Sequence, residues 1–351
     1  MSVRLRISGA VALALVLALV AGGAAYLRWG RDGYTSFQWA VDHAPAGSQR
    51  LSWTDWAAVR DHEHADVSSD SQLHQFLDRA YDDDLGSASA LVTSARVLQQ
   101  RFGFSPANAD WELYSQSDQG AVVMLHLPPS VDLGDVADHL TELGFQQPSE
   151  SDGVWNGGAD LLARISPGLS GELQYVVLDA HDSLVLTSDS AAYLRVAADA
   201  VRGNGATTSG LDAVVHEAGE PLSAEVYSGD YACTALAMAH ADGADQAQGR
   251  QLLAAAGEAN PYSAFAMSYQ PDGSVQVAFQ FDGSGTARTN ADTRATLARG
   301  PAPGQGGTFG ERFRVASVTA RGSLVVMRLD PRPHASVLSD LSTGPLLFAT
   351  C

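Results

Sequence analysis

The pattern of apolar and polar positions divides the chain near its start. Ile7 to Leu27, ISGAVALALVLALVAGGAAYL, carries no charge, and no later apolar run matches its length. A helix needs about 20 apolar residues to cross a bilayer's hydrocarbon core. Arg4 and Arg6 precede the run, Arg28 and Arg31 follow it, and Tyr26 and Trp29 stand at its outer end, where aromatic rings favour the headgroup layer. The pattern predicts a short cytoplasmic stretch at 1–6, a transmembrane anchor or signal segment at 7–27, and an extracytoplasmic remainder. The densest apolar stretch, Ala10 to Val20, and the small residues Ala21, Gly23 and Ala25 also suit a cleaved signal peptide, which would leave the protein secreted.

After this segment the period changes. Residues 28–50 read as a juxtamembrane stalk that becomes ordered near Phe37. Leu51 to Val59 is a strand candidate, Asp61 to Ser71 a polar gap, and Ser71 the expected cap of a helix carrying Leu73, Phe76, Leu77 and Ala80 on one face. A second helix is expected from Ser89 to Phe102. Four copies of strand, tight turn, strand and helix then follow, with strand pairs opening at Trp111, Leu173, Ser263 and Phe313. Their turns carry Asp-Gln-Gly, His-Asp, Asp-Gly and Arg-Gly, residues that suit hairpins.

The copies group in twos. Leu51 to Val59 opens the first pair and the run at Gly210 closes it. Leu222 to Ala239 opens the second, and the run at Gly344 closes it. This arrangement predicts an α+β fold: an N-terminal helix, then two similar lobes of mostly antiparallel sheet built from repeated β-hairpin–helix units, with helices on one face. The lobes would span 51–217 and 218–351, as an internal duplication. The Gly-rich stretches 203–210 and 300–310 fall at matching places and read as connectors, since no lysine follows them to complete a phosphate loop.

Composition narrows the function. The chain has 351 residues, 45% of them hydrophobic, which is enough for a substantial core. Its 21 basic and 40 acidic residues give a formal charge of −19, a field that repels nucleic-acid phosphates. Every basic residue is arginine, so Schiff-base lysines and Ser-Lys dyads are excluded. No G-x-S-x-G elbow or His-Glu-x-x-His motif occurs. The expectation is a non-enzymatic protein without a cofactor.

Three clusters stand out. Asp61-His62-Glu63-His64-Ala65-Asp66, with His74 able to join, is the most metal-like run, and a solvated polar loop is the alternative preferred for it. Asp82-Asp83-Asp84 lacks the spacing of a calcium loop and reads as a solvated acidic turn. Trp53, Trp56, Trp111 and Trp155 read as core packing, or else as an aromatic-lined groove for an apolar ligand or a partner. Cys233 and Cys351 are the only cysteines and are expected to form one disulfide. The predicted whole is a single-pass cell-envelope protein that acts by binding. Its rivals are a carrier or sensor of an apolar ligand and a metal- or Ser-dependent hydrolase. The predicted partners are the membrane, through the N-terminal helix, and another envelope protein or an apolar ligand.

Overall fold

The computed structural model describes residues 34–236 and 238–351. The predicted membrane segment lies outside them, and no described helix is long and apolar enough to cross a membrane. Among the described residues eleven strands form one antiparallel sheet: β1 (Arg50–Thr54), β2 (Trp111–Ser117), β3 (Gly120–His126), β4 (Trp155–Asn156), β5 (Tyr175–Asp179), β6 (Leu184–Ser188), β7 (Ser223–Ser228), β8 (Ala264–Tyr269), β9 (Val275–Gln280), β10 (Phe313–Arg321) and β11 (Leu324–Pro331). Their spatial order is β10-β11-β9-β8-β7-β1-β2-β3-β6-β5-β4.

That order mirrors itself about its middle. β1 pairs with β7 in a register centred on Ser52 opposite Glu225, with Arg50 opposite Tyr227 and Thr54 opposite Ser223. Outward on one side run β2, β3, β6 and β5, and on the other β8, β9, β11 and β10. Backbone bonds outside the ladders repeat as well. Asp110 N–H donates to His126 O as Ser263 N–H does to Gln280 O, and Leu127 N–H to Ser183 O as Phe281 N–H does to Ser323 O.

Strand alternation sends successive side chains to opposite faces, and here both faces are covered except on one side of β10 and β11, where Arg314, Thr319, Arg321 and Arg328 are exposed. On one face Leu51, Trp53, Leu113, Met124, Val226 and Ala266 pack under α1 (Ser36–Asp42), α7 (Ala191–Val201) and α8 (Asp212–Ala218). On the other face of the first half, Val123, Leu125 and Val185 pack under α2 (Trp56–His62), α3 (Asp70–Asp82), α4 (Ala95–Arg101), α5 (Leu133–Leu143) and α6 (Gly158–Ile165). In the second half Phe265, Phe279 and Met327 pack under α9 (Gly229–Ala235), α11 (Ser284–Leu297) and α12 (Val337–Ser342), with α10 (Gly243–Ala256) outside them. Helices on one face alone were expected. The sheet's two apolar sides each require a cover, because burying a large apolar side chain is worth roughly 1.5–3 kcal/mol.

Several boundaries differ from the sequence pattern. Leu51 to Val59 splits at Asp55, whose carboxylate accepts from Ala58 N–H and starts α2. Leu222 to Ala239 also splits, after Ser228, so Cys233 lies on α9 rather than on a strand. The runs at Gly210 and Gly344 form α8 and a 3₁₀ turn (Leu347–Ala349), not closing strands. Short apolar runs fit a buried strand or one helical turn equally well. The cap of α3 is Ser69 instead of Ser71, and only Ala95–Arg101 of the second expected helix is α-helical. The stalk's end is a core helix: Thr35 and Gln38 form a capping box, and Phe37, Ala40 and Val41 are buried.

Buried polar groups tie the halves together. Glu225 accepts from Arg50 Nε and Nη2 and from Ser52 Oγ, all across the central seam. Asp84 is 2% exposed and not the solvated turn expected. Its carboxylate accepts from the N–H groups of Leu338 and Ser339 and so caps α12 from the opposite half.

The C-terminus is clamped twice. Cys233 and Cys351 form a disulfide, with Cα atoms 5.5 Å apart. Arg294, fully buried, donates to the carbonyls of Phe348, Thr350 and Asn260, and Tyr262 Oη donates to Ala349 O. The guanidinium lies 4.6 Å from the ring centre of Phe279, 5.1 Å from Tyr262 and 5.4 Å from Phe281. Burial lowers its pKa to about 10, and ring faces with carbonyls stand in for a counter-ion.

Candidate functional site

The outer edge of the first half is the part that the second half does not repeat. β4 and α6 are additions there, and α7 covers the face whose counterpart beside β10 and β11 stays open: Arg314, Thr319, Arg321 and Arg328 are exposed. Three clefts adjoin along this edge. The first, about 640 Å³, is lined by Trp39, His43, Asp152, Asp179, His181 and Arg202. The second, about 320 Å³, shares Asp152 and Arg202 with it and adds Val154, Arg195 and Asn204. The third, about 410 Å³, shares Val154 and Arg195 with the second and ends at Gln146, Asn156 and Tyr175. Shared walls make the three one groove.

Its geometry is fixed from below. α1 brings Trp39 to the first cleft, and His43, one turn on, stacks on the indole at 4.1 Å with its Nδ1 2.7 Å from Trp39 O. Asp179, nearly buried at the end of β5, accepts from the N–H groups of His181 and Asp182 and from Arg202 Nε at 2.9 Å. Arg202, just past α7, also reaches Asp152. His181 Nδ1 lies 3.0 Å from Asp182 Oδ1. In the first cleft Arg202 thus faces both Asp152 and Asp179, and aromatic residues line the first and third clefts.

A further cleft of about 460 Å³ lies at the strand ends, lined by Ser36, Asp55, Asp110, His126 and Ser183. Rings connect it to the groove: Trp39 and Trp111 are 5.8 Å apart, and Trp111 stacks on His126 at 5.3 Å. His126 Nδ1 meets Asp110 Oδ2 at 3.0 Å. Burial, with Asp110 nearby, raises the pKa of Asp55 to about 6. The second half is an internal control for this corner. By strand register and repeated backbone bonds, Asp55, Asp110, His126 and Ser183 correspond to Ser228, Ser263, Gln280 and Ser323. There Gln280 Nε2 donates to Ser323 Oγ at 2.7 Å. The fold closes the same bonds with neutral residues, so it does not need the acids and the histidine.

The candidates picked from sequence fall elsewhere. His62 ends α2, His64 sits in a left-handed turn, and His74 is exposed on α3. Among the described residues no group of three or more metal-binding side chains converges. Trp53, Trp56, Trp111 and Trp155 are all core residues, at most 3% exposed. The groove's aromatics are Trp39 and Tyr175, neither of them among those four. A signal for Trp39 existed in the Thr35–Gln38 capping box and the apolar i, i+3, i+4 spacing of Phe37, Ala40 and Val41.

No protein-family model matches the chain, and no curated protein matches it. Two solved structures align with it: crystal form III of TP0453, at 6% identity and TM-score 0.41, and crystal form I, at 7% identity and TM-score 0.36. Each alignment covers 86% of this chain, and 97% and 96% of those chains. Likeness at this level carries no inference about function.

Proposed function

We infer that the chain is a single-pass, extracytoplasmic cell-envelope protein without enzymatic activity, which binds an extended polar ligand or partner in the groove along β4, β5 and α7. The observation that carries this reading is the continuity of the three clefts through Asp152, Arg202, Val154 and Arg195. The apolar-carrier reading is disfavoured by the charged side chains in the same linings, Asp152, Asp179, Arg195 and Arg202 among them. The mirrored strand order supports internal duplication of a β-hairpin–helix unit, with the groove added to one copy. One observation favours a second reading, a hydrolase: the Asp110–His126 contact in a cleft that also holds two serines.

Two measurements test the first reading. Reporters fused after Cys351 should work outside the cytoplasm and fail inside it; the reverse pattern refutes the placement. In the full-length chain, tryptophan indole NMR signals should be followed against neutral oligosaccharides, an arginine-rich peptide and a fatty acid. Binding in the groove moves Trp39 and leaves Trp53 and Trp56 in place. A fatty acid that moves Trp53 or Trp56 puts the ligand in the core and overturns the groove.

A further inference from the structure

We propose that the groove's ligand is a neutral, hydroxyl-rich glycan chain. This rests on the groove being the binding surface and goes further by naming the ligand's chemistry.

A sugar ring presents two kinds of surface. Its C–H faces are apolar and flat enough to lie on an aromatic ring, and its hydroxyls both donate and accept hydrogen bonds. The groove supplies partners for both. Trp39 lies at one end and Tyr175 at the other. Trp39 is held flat by the His43 stack and by the bond between that imidazole and its own carbonyl, so ordering it on binding costs little. The amides of Gln146 and Asn156 stand beside Tyr175 and that of Asn204 in the middle cleft, each with both a donor and an acceptor.

The charges exclude a polyanion and leave the first cleft little to offer a cation. Five acids, Glu150, Asp152, Asp179, Asp182 and Asp199, and two arginines, Arg195 and Arg202, line the three clefts. That excess of negative charge rejects polyanions such as sulfated or phosphorylated polymers. A cationic peptide needs carboxylates ready to pair; Glu150 and Asp199 could offer that in the second cleft, but in the first Asp179 and Asp152 already face Arg202 and Asp182 faces His181. Hydroxyls need no charge to be surrendered. They donate to a carboxylate oxygen or accept from a guanidinium N–H while the ion pair stays intact. Three adjoining clefts suit several linked sugar units rather than one.

The test uses the full-length chain in a sugar-free zwitterionic detergent. It is titrated by fluorescence and NMR with neutral tetra- to hexasaccharides of glucose, mannose, xylose and N-acetylglucosamine, and with an arginine-rich hexapeptide. The expected result is saturable binding of at least one oligosaccharide with Trp39 perturbed. Trp39→Ala should weaken it about tenfold, the loss expected of one stacked ring, and Trp39→Phe should restore most of it. Arg202→Gln should weaken binding while the Trp39 stack remains visible. If the hexapeptide binds at Trp39 and no oligosaccharide does, the groove stands and the glycan assignment falls. If neither perturbs Trp39, both fall.

Discussion

The C-terminal clamp allows a quantitative forecast. Replacing Cys233 and Cys351 by Ala removes the cross-link and leaves the clamp of Arg294 and Tyr262 on the same tail. The bridge closes a separation of 118 residues. In the chain-entropy account the cost of closing such a loop falls on the unfolded chain, and a loop of this length gives about 5 kcal/mol at 25 °C. Native contacts near the bridge should change little, because Phe348 to Thr350 stay bonded to Arg294 and Tyr262. Nearly all of that figure should therefore appear as lost unfolding free energy. Urea unfolding of the full-length chain, followed by tryptophan fluorescence, measures it. The midpoint should fall, and the slope with denaturant should rise because the uncross-linked unfolded chain exposes more surface. Adding Arg294→Met to the double cysteine variant should cost more than Arg294→Met alone costs in the oxidised protein, since the two devices hold one segment and couple. A loss below about 1 kcal/mol with an unchanged slope would refute a stabilising role for the bridge through the unfolded chain.

Three other outcomes follow from particular residues. Glu112, 1% exposed, accepts from Trp56 Nε1, Ser89 Oγ and the N–H groups of Ala90 and Leu91; Glu112→Ala orphans these donors and should cost about 3–5 kcal/mol by chemical denaturation, with an effect under 1 kcal/mol as the refuting value. Asp55 has a folded pKa of about 6 against an ordinary 3.8, so its ionised form is disfavoured in the fold, and wild-type stability relative to Asp55→Asn should fall as pH rises from about 4 through 6. Asparagine keeps the helix cap, so the variant should match wild type near pH 4 and gain up to about 3 kcal/mol at pH 8; a gain that does not depend on pH contradicts the shift. His62→Ala and His64→Ala should leave the metal content of the purified protein unchanged, and about one zinc or copper per chain lost on His62→Ala would disprove the solvated-loop reading.

Much of the architecture was readable from one dimension. Alternating runs at Trp111, Ala121, Ser183, Ser263 and Phe313, broken by turn residues, foretold hairpins, and the structure forms them as β2–β3, β5–β6, β8–β9 and β10–β11. Periodicity of 2 and 3.6 is local chemistry: it reports which side of an element meets a core. The pairing of Cys233 with Cys351 matches the disulfide expected of the two cysteines, although Cys233 lies on a helix and Cys351 just past a 3₁₀ turn. Composition alone made nucleic-acid binding and lysine chemistry poor readings.

Long-range arrangement was decided only in three dimensions. That β1 and β7 join the halves into one sheet depends on Ser52 facing Glu225 across 173 residues, and no local period encodes such a pairing. The short runs at Trp56, Asp212 and Tyr231 fit strand or helix equally well by period; the Asp55 cap starts the first as a helix, and all three pack as helices against the sheet. Asp84 looked like a surface acid because its partners, Leu338 and Ser339, lie more than 250 residues away. The groove is of the same kind. Trp39, Asp152, Asp179 and Arg202 come from a helix, a loop, a strand end and a helix end, and each alone is unremarkable in sequence. Their convergence follows from sheet order and from α7 lying over β5 and β6, and chemistry that depends on convergence appears only when the chain is folded.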